Sequence, residues 1–499
     1  MFITGNGNYN PALERIDLEG MKIYNNSADK GGLSIFVAMS QLKELCYYGI
    51  DGQYIKGNYS DTDSDEQDLE GIQMQFAQFN SAQQNQIEQR TIHLEEYWKL
   101  PFELICGGAI YAQVSFGGNL TIDGLCKFAQ CYTAEDGSGI WAQISGVNSL
   151  LTLEDGLKFD TCQNDSNYSQ GGGIYFEIYG QATSIINNVQ FSYCNASSGG
   201  GVYLYGRNQV KQIFDGTKFT NCEAYYDGGG LNARIDSQNS VLELINITFE
   251  NCNVIGDNSK GGGLYLVVNT NISLLISETC LFKNCSSGFV GGGCSMICEG
   301  SEIQIQITGK LEFENCSSKS GGGMRININN QATVDINQIS FKDCLAQSGG
   351  GLYADIKYGG KLTINGICSF LNCESLNGGG IYSYIISDGQ LIIMNQCIFT
   401  ECESKSGSGG GIYSNVNDGI IKIEDAIFDR CACSQPGNGG GIALIQGSSS
   451  IISITNSSFN DSKTISNSLD QRYGWGGEIL QSVFIEISGF TEDGLRLSK

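Results

Sequence analysis

A glycine triplet followed by an apolar residue recurs along the chain at a nearly constant interval, and this period restricts the chain to few folds. The residue after the triplet, or after its looser copies GGA and GSG, falls at positions 110, 140, 174, 202, 231, 264, 294, 324, 352, 381, 412 and 442. The steps run from 28 to 34 residues. Self-similarity at such a period is the signature of a solenoid. Twelve regular copies indicate that the glycines serve the architecture, because a ligand cradle normally occurs once.

A second motif, Phe-x-x-Cys, runs in phase with the glycines. Its copies begin at Phe128, Phe159, Phe191, Phe219, Phe249, Phe282, Phe313, Phe341, Phe370, Phe399 and Phe428, and a twelfth copy, FNDS at 459–462, has Ser462 in place of Cys. A short alternating apolar run, such as KLTING at 361–366, lies between the two motifs. Each period of ~30 residues therefore holds three short strands. This pattern predicts an all-β fold, a single-stranded parallel β-helix of about 12–13 coils.

Alternation along the strand that follows the triplet assigns its two faces. Ile174 and Phe176 point one way and Tyr175 the other. The first position is apolar in all twelve copies, which predicts that it faces the core. The second position accepts Arg325 and is predicted to face outward. The Phe of the second motif is present in all twelve copies and predicts an inner aromatic stack.

The outward position carries eight aromatic residues, which form the candidate binding surface. They are Tyr111, Trp141, Tyr175, Tyr203, Tyr265, Tyr353, Tyr382 and Tyr413. Aligned amphipathic rings are able to stack on sugar rings or to receive a protein partner. Alternatively, the stacked rings only stiffen the sheet. The sequence leaves both interpretations open.

Eleven of the 20 cysteines occupy the motif position and predict a structural ladder. These are Cys131, Cys162, Cys194, Cys222, Cys252, Cys285, Cys316, Cys344, Cys373, Cys402 and Cys431. One interpretation is a ladder of buried thiols, in which Cys acts as a small apolar residue. The other is vertical disulfides, since a spacing of ~4.8 Å falls within the range for a bridge. Four further cysteines are predicted to point inward beside Phe, namely Cys126, Cys280, Cys368 and Cys397.

No metal or cofactor site is predicted from the cysteines. The chain has no CxxC pair and only one histidine, His93, so the ligand spacing of a zinc site is missing.

The GGAIY stretch at 107–111, together with Phe-x-x-Cys, resembles the repeats of polymorphic outer membrane proteins, which are marked by GGA[ILV] and FxxN. Here Cys stands where that family usually has Asn. An early copy, IYNNSADKGGL at 23–33, keeps Asn26 at this position. The resemblance covers about 105–480 plus this early copy. It implies a right-handed β-helix displayed on a cell surface, often as an adhesin.

The period divides the chain into four parts. Residues 1–44 hold the first coil or coils, 45–104 an inserted acidic loop and helix, 105–480 the main β-helix, and 481–499 an irregular strand or tail.

Two features are expected in the insertion. The acidic stretch at 61–70 is either a solvated loop or a calcium loop, although Glu66 and Ile72 depart from the EF-hand pattern. The stretch 81–99 predicts a helix, with Ile87, Thr91, Leu94 and Trp98 on one face and Ser81 as N-cap.

Composition limits the partners. A formal charge of −25 disfavours nucleic acid and anionic membranes. No apolar run reaches the ~20 residues that span a bilayer, and the first residues do not resemble a signal peptide. We therefore expect a piece of a longer secreted or membrane-anchored chain, which continues the β-helix end to end or within the chain. N-glycosylation sequons fit this expectation and include Asn164, Asn167, Asn195, Asn246 and Asn271.

These features predict a non-catalytic extracellular or cell-surface protein, a rigid spacer or an adhesin that binds glycans or surface proteins. The main alternative is a polysaccharide lyase or glycoside hydrolase of the pectin-lyase-like fold, since parallel β-helices include many such enzymes. That chemistry needs carboxylates on adjacent coils, which a linear sequence does not reveal. A third alternative is an intracellular structural rod with reduced thiols.

Overall fold

The computed structural model describes residues 2–5, 27–30, 35–40, 42, 69–94, 108–465 without 125, 155, 165, 167, 271, 302 and 435, and then 474–477 and 479–483. The chain forms two compact units, Met1–Glu103 and Leu104–Lys499. Residues 61–68 of the acidic stretch at 61–70, Asn26 of the early repeat copy, Trp98 of the predicted helix and most of the tail at 481–499 lie outside the described residues.

The first unit contains a small sheet. Three parallel strands, Phe2–Gly5, Ile35–Met39 and Leu69–Gln73, are joined by the antiparallel strand Ile92–His93. The third parallel strand lies within the segment that was expected to be an insertion. Buried aliphatic side chains on these strands, such as Val37 and Ile72, form its core.

The helix predicted over 81–99 is wrong in its boundaries. The structure has two short helices, α1 at Phe76–Ser81 and α2 at Gln84–Glu88. Ser81 ends α1, and its hydroxyl donates to the carbonyl oxygen of Ala77, so it is not an N-cap. Gln83 caps α2 instead, in a reciprocal pair with Gln86. Thr91 and Leu94 leave the helical face because Ile92 and His93 pair with the sheet, where the β-branched Ile92 is favoured.

The second unit is a solenoid of about 13 turns, and this confirms the predicted parallel β-helix. Each strand pairs in parallel with its counterpart one coil away, so that Phe282, for example, lies opposite Phe313. A continuous sheet of 31 strands runs through the unit.

Four groups of strands recur along the solenoid and are named here the triplet, middle, Phe and Cys strands; at Ser317 and Leu345 isolated bridges replace the Cys strand. The triplet strands are Ile110–Ser115, Ile140–Ser145, Ile174–Tyr179, Val202–Arg207, Leu231–Ile235, Leu264–Val268, Cys294–Cys298, Met324–Ile328, Leu352–Ile356, Ile442–Gln446 and Ile479–Val483. In two coils the triplet strand continues into the middle strand, as Ile381–Met394 and Ile412–Glu424. The separate middle strands are Asn119–Ile122, Leu150–Leu153, Thr183–Asn187, Lys211–Asp215, Lys361–Asn365 and Ile451–Thr455.

The Phe strands carry the second motif. They are Lys127–Ala129, Lys158–Asp160, Gln190–Ser192, Lys218–Thr220, Cys368–Leu371, Cys397–Thr400, Ile427–Asp429 and Ser458–Asn460. In four central coils the middle and Phe strands are continuous, as Val241–Glu250, Ser273–Lys283, Gln304–Glu314 and Thr333–Lys342.

A fourth group, the Cys strands, was not predicted. They are Tyr132–Thr133, Gln163–Asn164, Asn195–Ser198, Glu223–Asp227, Asn253–Val254, Ser286–Ser287, Glu374–Ser375, Glu403–Ser404, Ala432–Ser434 and Lys463–Ile465. They are mostly two to five residues long and rich in Ser and Asn, so their sequence resembles a loop. Pairing with the neighbouring coil makes them strands, which tertiary context often does for short segments.

The predicted Phe stack is confirmed. Neighbouring rings from Phe128 to Phe459 lie nearly parallel, with centroids 4.6 to 5.0 Å apart. The rings between these two are fully buried, and the two end rings are partly buried. Each ring thus stabilises the fold in two ways, by burying apolar area and by stacking on its neighbours.

Each glycine of a triplet has its own steric reason, as Gly378–Gly380 shows. Gly378 has a φ of +66°, and a Cβ there would lie 2.2 Å from the carbonyl oxygen of Ile381. A Cβ on Gly379 would lie 2.4 Å from the carbonyl oxygen of Gly410 in the next coil. A Cβ on Gly380 would lie 2.7 Å from the ring of Phe399. The first glycine therefore allows the turn, the second allows neighbouring coils to stack closely, and the third leaves room for the Phe ring.

A left-handed residue precedes every motif Cys. All twelve copies have φ between 49° and 58°, namely Gln130, Thr161, Tyr193, Asn221, Asn251, Asn284, Asn315, Asp343, Asn372, Glu401, Arg430 and Asp461. Asn and Asp tolerate this conformation best. Asn side chains also bond along the stack, since the amide of Asn284 donates to Asn251 at 3.0 Å and that of Asn315 to Asn284 at 2.8 Å.

Replacing Gly380 by Ala is expected to lower the free energy of unfolding by about 1–3 kcal/mol or more, because the added methyl overlaps the ring of Phe399. Gly124→Ala is the control, since a Cβ at Gly124 meets nothing within 4 Å and only its φ of +76° is penalised. Chemical denaturation of both variants measures the difference. Equal losses would contradict the packing role of Gly380.

Replacing Thr161 by Asn is expected to stabilise the protein by about 1 kcal/mol, because a β-branched residue is poorly suited to a φ of 58°. The reverse change at the equivalent turn of another coil, Asn251→Thr, should destabilise the protein. It also removes the hydrogen bonds of Asn251 to Asn221 and Asn284. Shifts of Tm in opposite directions would support this account. A fall in Tm for Thr161→Asn would refute it.

Candidate functional site

The predicted aromatic column lies outside the core, yet it is mostly covered. Tyr111 is 48 % exposed, whereas Trp141 and Tyr265 are only 8 % and 9 % exposed. At these two residues the outward-facing position of the strand is therefore covered by neighbouring side chains. Trp141 is enclosed between the rings of Tyr111 and Tyr175, and the Lys260 ammonium lies 5.0 Å from the ring centre of Tyr265.

The other five rings of the column are half-buried. These are Tyr175, Tyr203, Tyr353, Tyr382 and Tyr413. Burial raises the pKa of the phenol groups, to about 12 for Tyr353 even though Arg325 opposes the shift.

Seven of the eight rings form two separate stacks, and Tyr265 lies between them with Asn232 and Ser295 as its neighbours in register. The first joins Tyr111, Trp141, Tyr175 and Tyr203, with centroid distances of 4.5, 6.0 and 5.5 Å and planes within 14° of parallel. The second joins Tyr353, Tyr382 and Tyr413 at 4.8 and 5.0 Å, and the Arg325 guanidinium lies 5.0 Å from the ring centre of Tyr353. Between the stacks, Asn232, Ser295 and Arg325 take the aromatic position.

This spacing limits what the rings are able to bind. Parallel rings whose centres are so close cannot lie side by side in one plane, so they contact one another face to face. A sugar ring stacks on an aromatic face, and these faces are occupied by the neighbouring coil. The geometry therefore favours the stiffening role of the column over a flat sugar-binding platform.

Two carboxylates stand beside the first stack. Asp136 precedes the glycines of its coil, and Glu177 follows Tyr175 on the triplet strand. Burial raises the pKa of Asp136 to about 6, and the charges of Glu135 and Glu177 act in the same direction. The backbone N–H of Gln170 donates to Asp136 at 2.6 Å and opposes the shift. Glu177 accepts a hydrogen bond from the amide of Gln143 at 3.1 Å.

Sequence reasoning missed this pair. Asp136 and Glu177 belong to different coils and lie far apart in the chain. The signal in the sequence is that an acidic residue directly precedes a glycine triplet, which also occurs at Asp227. An Asp or Glu beside the aromatic position becomes meaningful only when the coil register is known.

The cysteine ladder is built from thiols that bond to backbone. The Sγ of a motif Cys lies near the carbonyl oxygen of the motif Phe one coil earlier, at 3.4 Å for Cys316 with Phe282 and 3.5 Å for Cys285 with Phe249. Ser462 makes the equivalent bond to Phe428 at 3.4 Å, which explains why Ser is accepted in the last copy. The position therefore selects a small side chain with a weak donor.

The 18 cysteines in the described part of the chain are free, and most are buried. Among them the arrangement is the buried-thiol ladder rather than vertical disulfides. Cys126 is exposed, which corrects the expectation that it points inward; it lies in the first described coil of its unit, where Cys131 is also only partly covered. Cys280, Cys368 and Cys397 are buried as predicted.

Within the described ranges, no group of three His, Cys, Asp or Glu side chains is arranged to hold a metal ion. In the same residues, no helix is both long and apolar enough to cross a membrane. A shallow groove of ≈ 520 Å³ is lined by residues that include Val147, Gln181, Asn208 and Gln209.

No family model, no curated protein and no solved structure matches the chain. The resemblance to polymorphic outer membrane protein repeats therefore rests on the motifs alone.

The rate of thiol labelling is expected to differ between the exposed cysteine of the first described coil and the buried cysteines of later coils. Iodoacetamide should modify Cys126 quickly in the native protein, whereas buried thiols such as Cys280 and Cys298 should react only after unfolding. Burial raises the pKa of both to about 12, so they stay neutral at a pH at which a free thiol ionises. Peptide mapping by mass spectrometry locates the label, and rapid native labelling of Cys280 would contradict the ladder.

The same shift has a consequence for stability. Because the folded thiols hold their protons to a higher pH than the unfolded ones, their stabilising contribution is complete below about pH 9 and is lost as the pH rises toward 12.

Proposed function

We propose that the protein is a non-catalytic β-solenoid that serves as a rigid extracellular or cell-surface spacer or adhesin. The observation that carries the proposal is the uninterrupted stack of twelve Phe rings, from Phe128 to Phe459, in a parallel sheet that continues from coil to coil. Because adjacent coils share both ring contacts and strand hydrogen bonds, bending the rod would require many contacts to break together. A stiff rod of this kind suits the display of a surface at a distance.

The extracellular location draws support from the sequons and from the repeat resemblance. Asn119 and Asn246 are sequon residues with exposed side chains. Asn284 and Asn315 are also in sequons, but their amides donate within the Asn ladder. Glycosylation of a secreted form would therefore be expected at the first pair rather than at the second.

One observation favours the alternative of a carbohydrate-active enzyme. Asp136, whose pKa is raised to about 6 by burial, would be partly protonated near that pH, and the charge of Glu177 acts on both Asp136 and Tyr175 of the first stack. Such pairs perform acid–base chemistry on glycosidic bonds. If Asp136 were the general acid, cleavage would decline as the pH rises above about 6, since the carboxyl would lose its proton.

Incubation with plant, microbial and animal polysaccharides tests the proposal. Released reducing or unsaturated ends are assayed, together with the protein retained on each polymer. We expect no release from any polymer, whether or not the protein is retained. Asp136→Asn and Glu177→Gln are assayed in parallel with the control Glu424→Gln, an exposed carboxylate in a distant coil. Cleavage that disappears in the first two variants and persists in the control would establish the enzyme instead.

A further inference from the structure

Exposed aromatic and aliphatic residues concentrate at the edge formed by the Cys strands and the loops that lead to the glycine triplets. In the coils between residues 132 and 290 this edge carries Tyr132, Tyr168, Tyr225, Tyr226, Ile255 and Phe289, which are 59, 84, 51, 42, 60 and 39 % exposed. Isolated exposed apolar residues need no explanation, but three of these, Tyr225, Tyr226 and Ile255, lie in two adjacent coils, and such a cluster indicates an interaction surface.

Coil register places these residues on one side of the solenoid. Tyr132, Gln163, Asn195 and Glu223 are successive partners in the six-stranded sheet of Cys strands. Tyr225 and Tyr226 follow Glu223 on the same strand, at a β-bulge where the register with the preceding coil shifts, and both side chains are exposed there.

Ile255 adjoins Tyr225 in the next coil, because the N–H of Ile255 bonds to the carbonyl oxygen of Ala224 and that of Gly256 bonds to Tyr225. We call Tyr132, Tyr225, Tyr226 and Ile255 the tyrosine face.

The rings of the tyrosine face differ from those of the aromatic column. Tyr225 and Tyr226 contact each other edge to face, with centroids 4.8 Å apart and planes at 87°. Such a corner leaves ring surface open to solvent, whereas the rings of the column cover one another. Because the two ring planes are nearly perpendicular, Tyr225 and Tyr226 do not form the flat surface on which successive sugar rings stack.

The charge around this face is acidic. The segments 132–136, 163–170, 195–198 and 223–227 contain five acidic residues and no Lys or Arg. Glu135 is exposed and Glu223 is partly exposed. The nearest lysine in the next coil, Lys260, is already paired with Asp227 at 3.6 Å. Open tyrosine rings and unneutralised carboxylates both attract cations, the former through cation–π contacts.

We propose that the tyrosine face binds a basic polypeptide segment, with Lys or Arg side chains against Tyr225 and Tyr226 and paired with Glu223. Tyrosine is enriched at protein interfaces because it offers a large rigid surface with a polar tip. This inference deepens the proposed function, because an adhesin requires a partner. It rests on that function only for where the partner is met, and not for the binding itself.

A titration of the full chain with a fluorescent Lys- and Arg-rich peptide tests the proposal, with a Glu-rich peptide of equal length as the probe for charge. The double variant Tyr225→Ser/Tyr226→Ser should weaken binding of the basic peptide by about 5- to 30-fold. Its matched control is Tyr358→Ser, an equally exposed tyrosine in a turn outside the face.

A second pair of variants separates local recognition from the overall negative charge. Glu223→Gln should weaken binding about 2- to 5-fold, whereas Glu424→Gln removes the same charge elsewhere and should change it less than twofold. The Kd of the native protein should rise with salt. Unchanged Tm values show that the variants remain folded.

Three results would overturn the proposal: no binding of the basic peptide, equal loss in the face variants and their controls, or retention of a polysaccharide that depends on Tyr225 while the peptide fails to bind. Glycan cleavage would refute the scaffold function alone and would leave the peptide titration interpretable, so failures of the two proposals are distinguishable.

Discussion

Parallel, in-register stacking of coils is the constraint on which the rest of this structure depends. Because each residue lies opposite its counterpart one period later, every repeated position becomes a column whose members must tolerate contact with one another. Phe satisfies this requirement through ring stacking, and Asn does so by donating with its amide and accepting with its oxygen. Charged columns satisfy it by alternation, as in Glu250, Lys283, Glu314 and Lys342, where Lys283 and Lys342 each lie 3.5 Å from Glu314.

The corners of the coil follow from the same constraint. A full glycine triplet meets the next coil at backbone distance, so a Cβ at its second position, as at Gly379, would lie 2.4 Å from a carbonyl oxygen of that coil. A second corner follows the C-terminal end of the Phe strand. There, one residue adopts a left-handed conformation, and the next places its thiol against the preceding coil. The motif Phe-x-x-Cys thus specifies a core ring, a turn and a small donor in four residues. Cys fulfils this role without a disulfide, as a small side chain that is buried and weakly polar.

Stacking also decides which surfaces remain available for function. It consumes the faces of the Tyr and Trp rings that look most like a binding site in the sequence, because each ring meets the ring of the next coil. Open ring surface is found instead where the Cys strands lead into loops of unequal length, and where successive side chains no longer repeat. Tyr225 and Tyr226 have no aromatic counterpart at the matching positions of the next coil, which holds Asn253 and Val254 in register with Glu223 and Ala224. Open aromatic surface therefore lies in the irregular part of the repeat.

The sequence by itself determined the period, the parallel β-helix, the inward Phe and the buried Cys, because repetition of a steric requirement is visible in one dimension. Only the tertiary structure decided the boundaries of the helices near Ser81, the existence of the Cys strands and the exposure of Cys126, since these depend on pairing partners or on position at the end of a stack. It also decided that Trp141 is covered and that the charge of Glu177 acts on Asp136, because register between coils determines which distant residues come near one another. Local pattern thus sets the element that each residue enters, whereas the neighbouring coil sets what its side chain contacts.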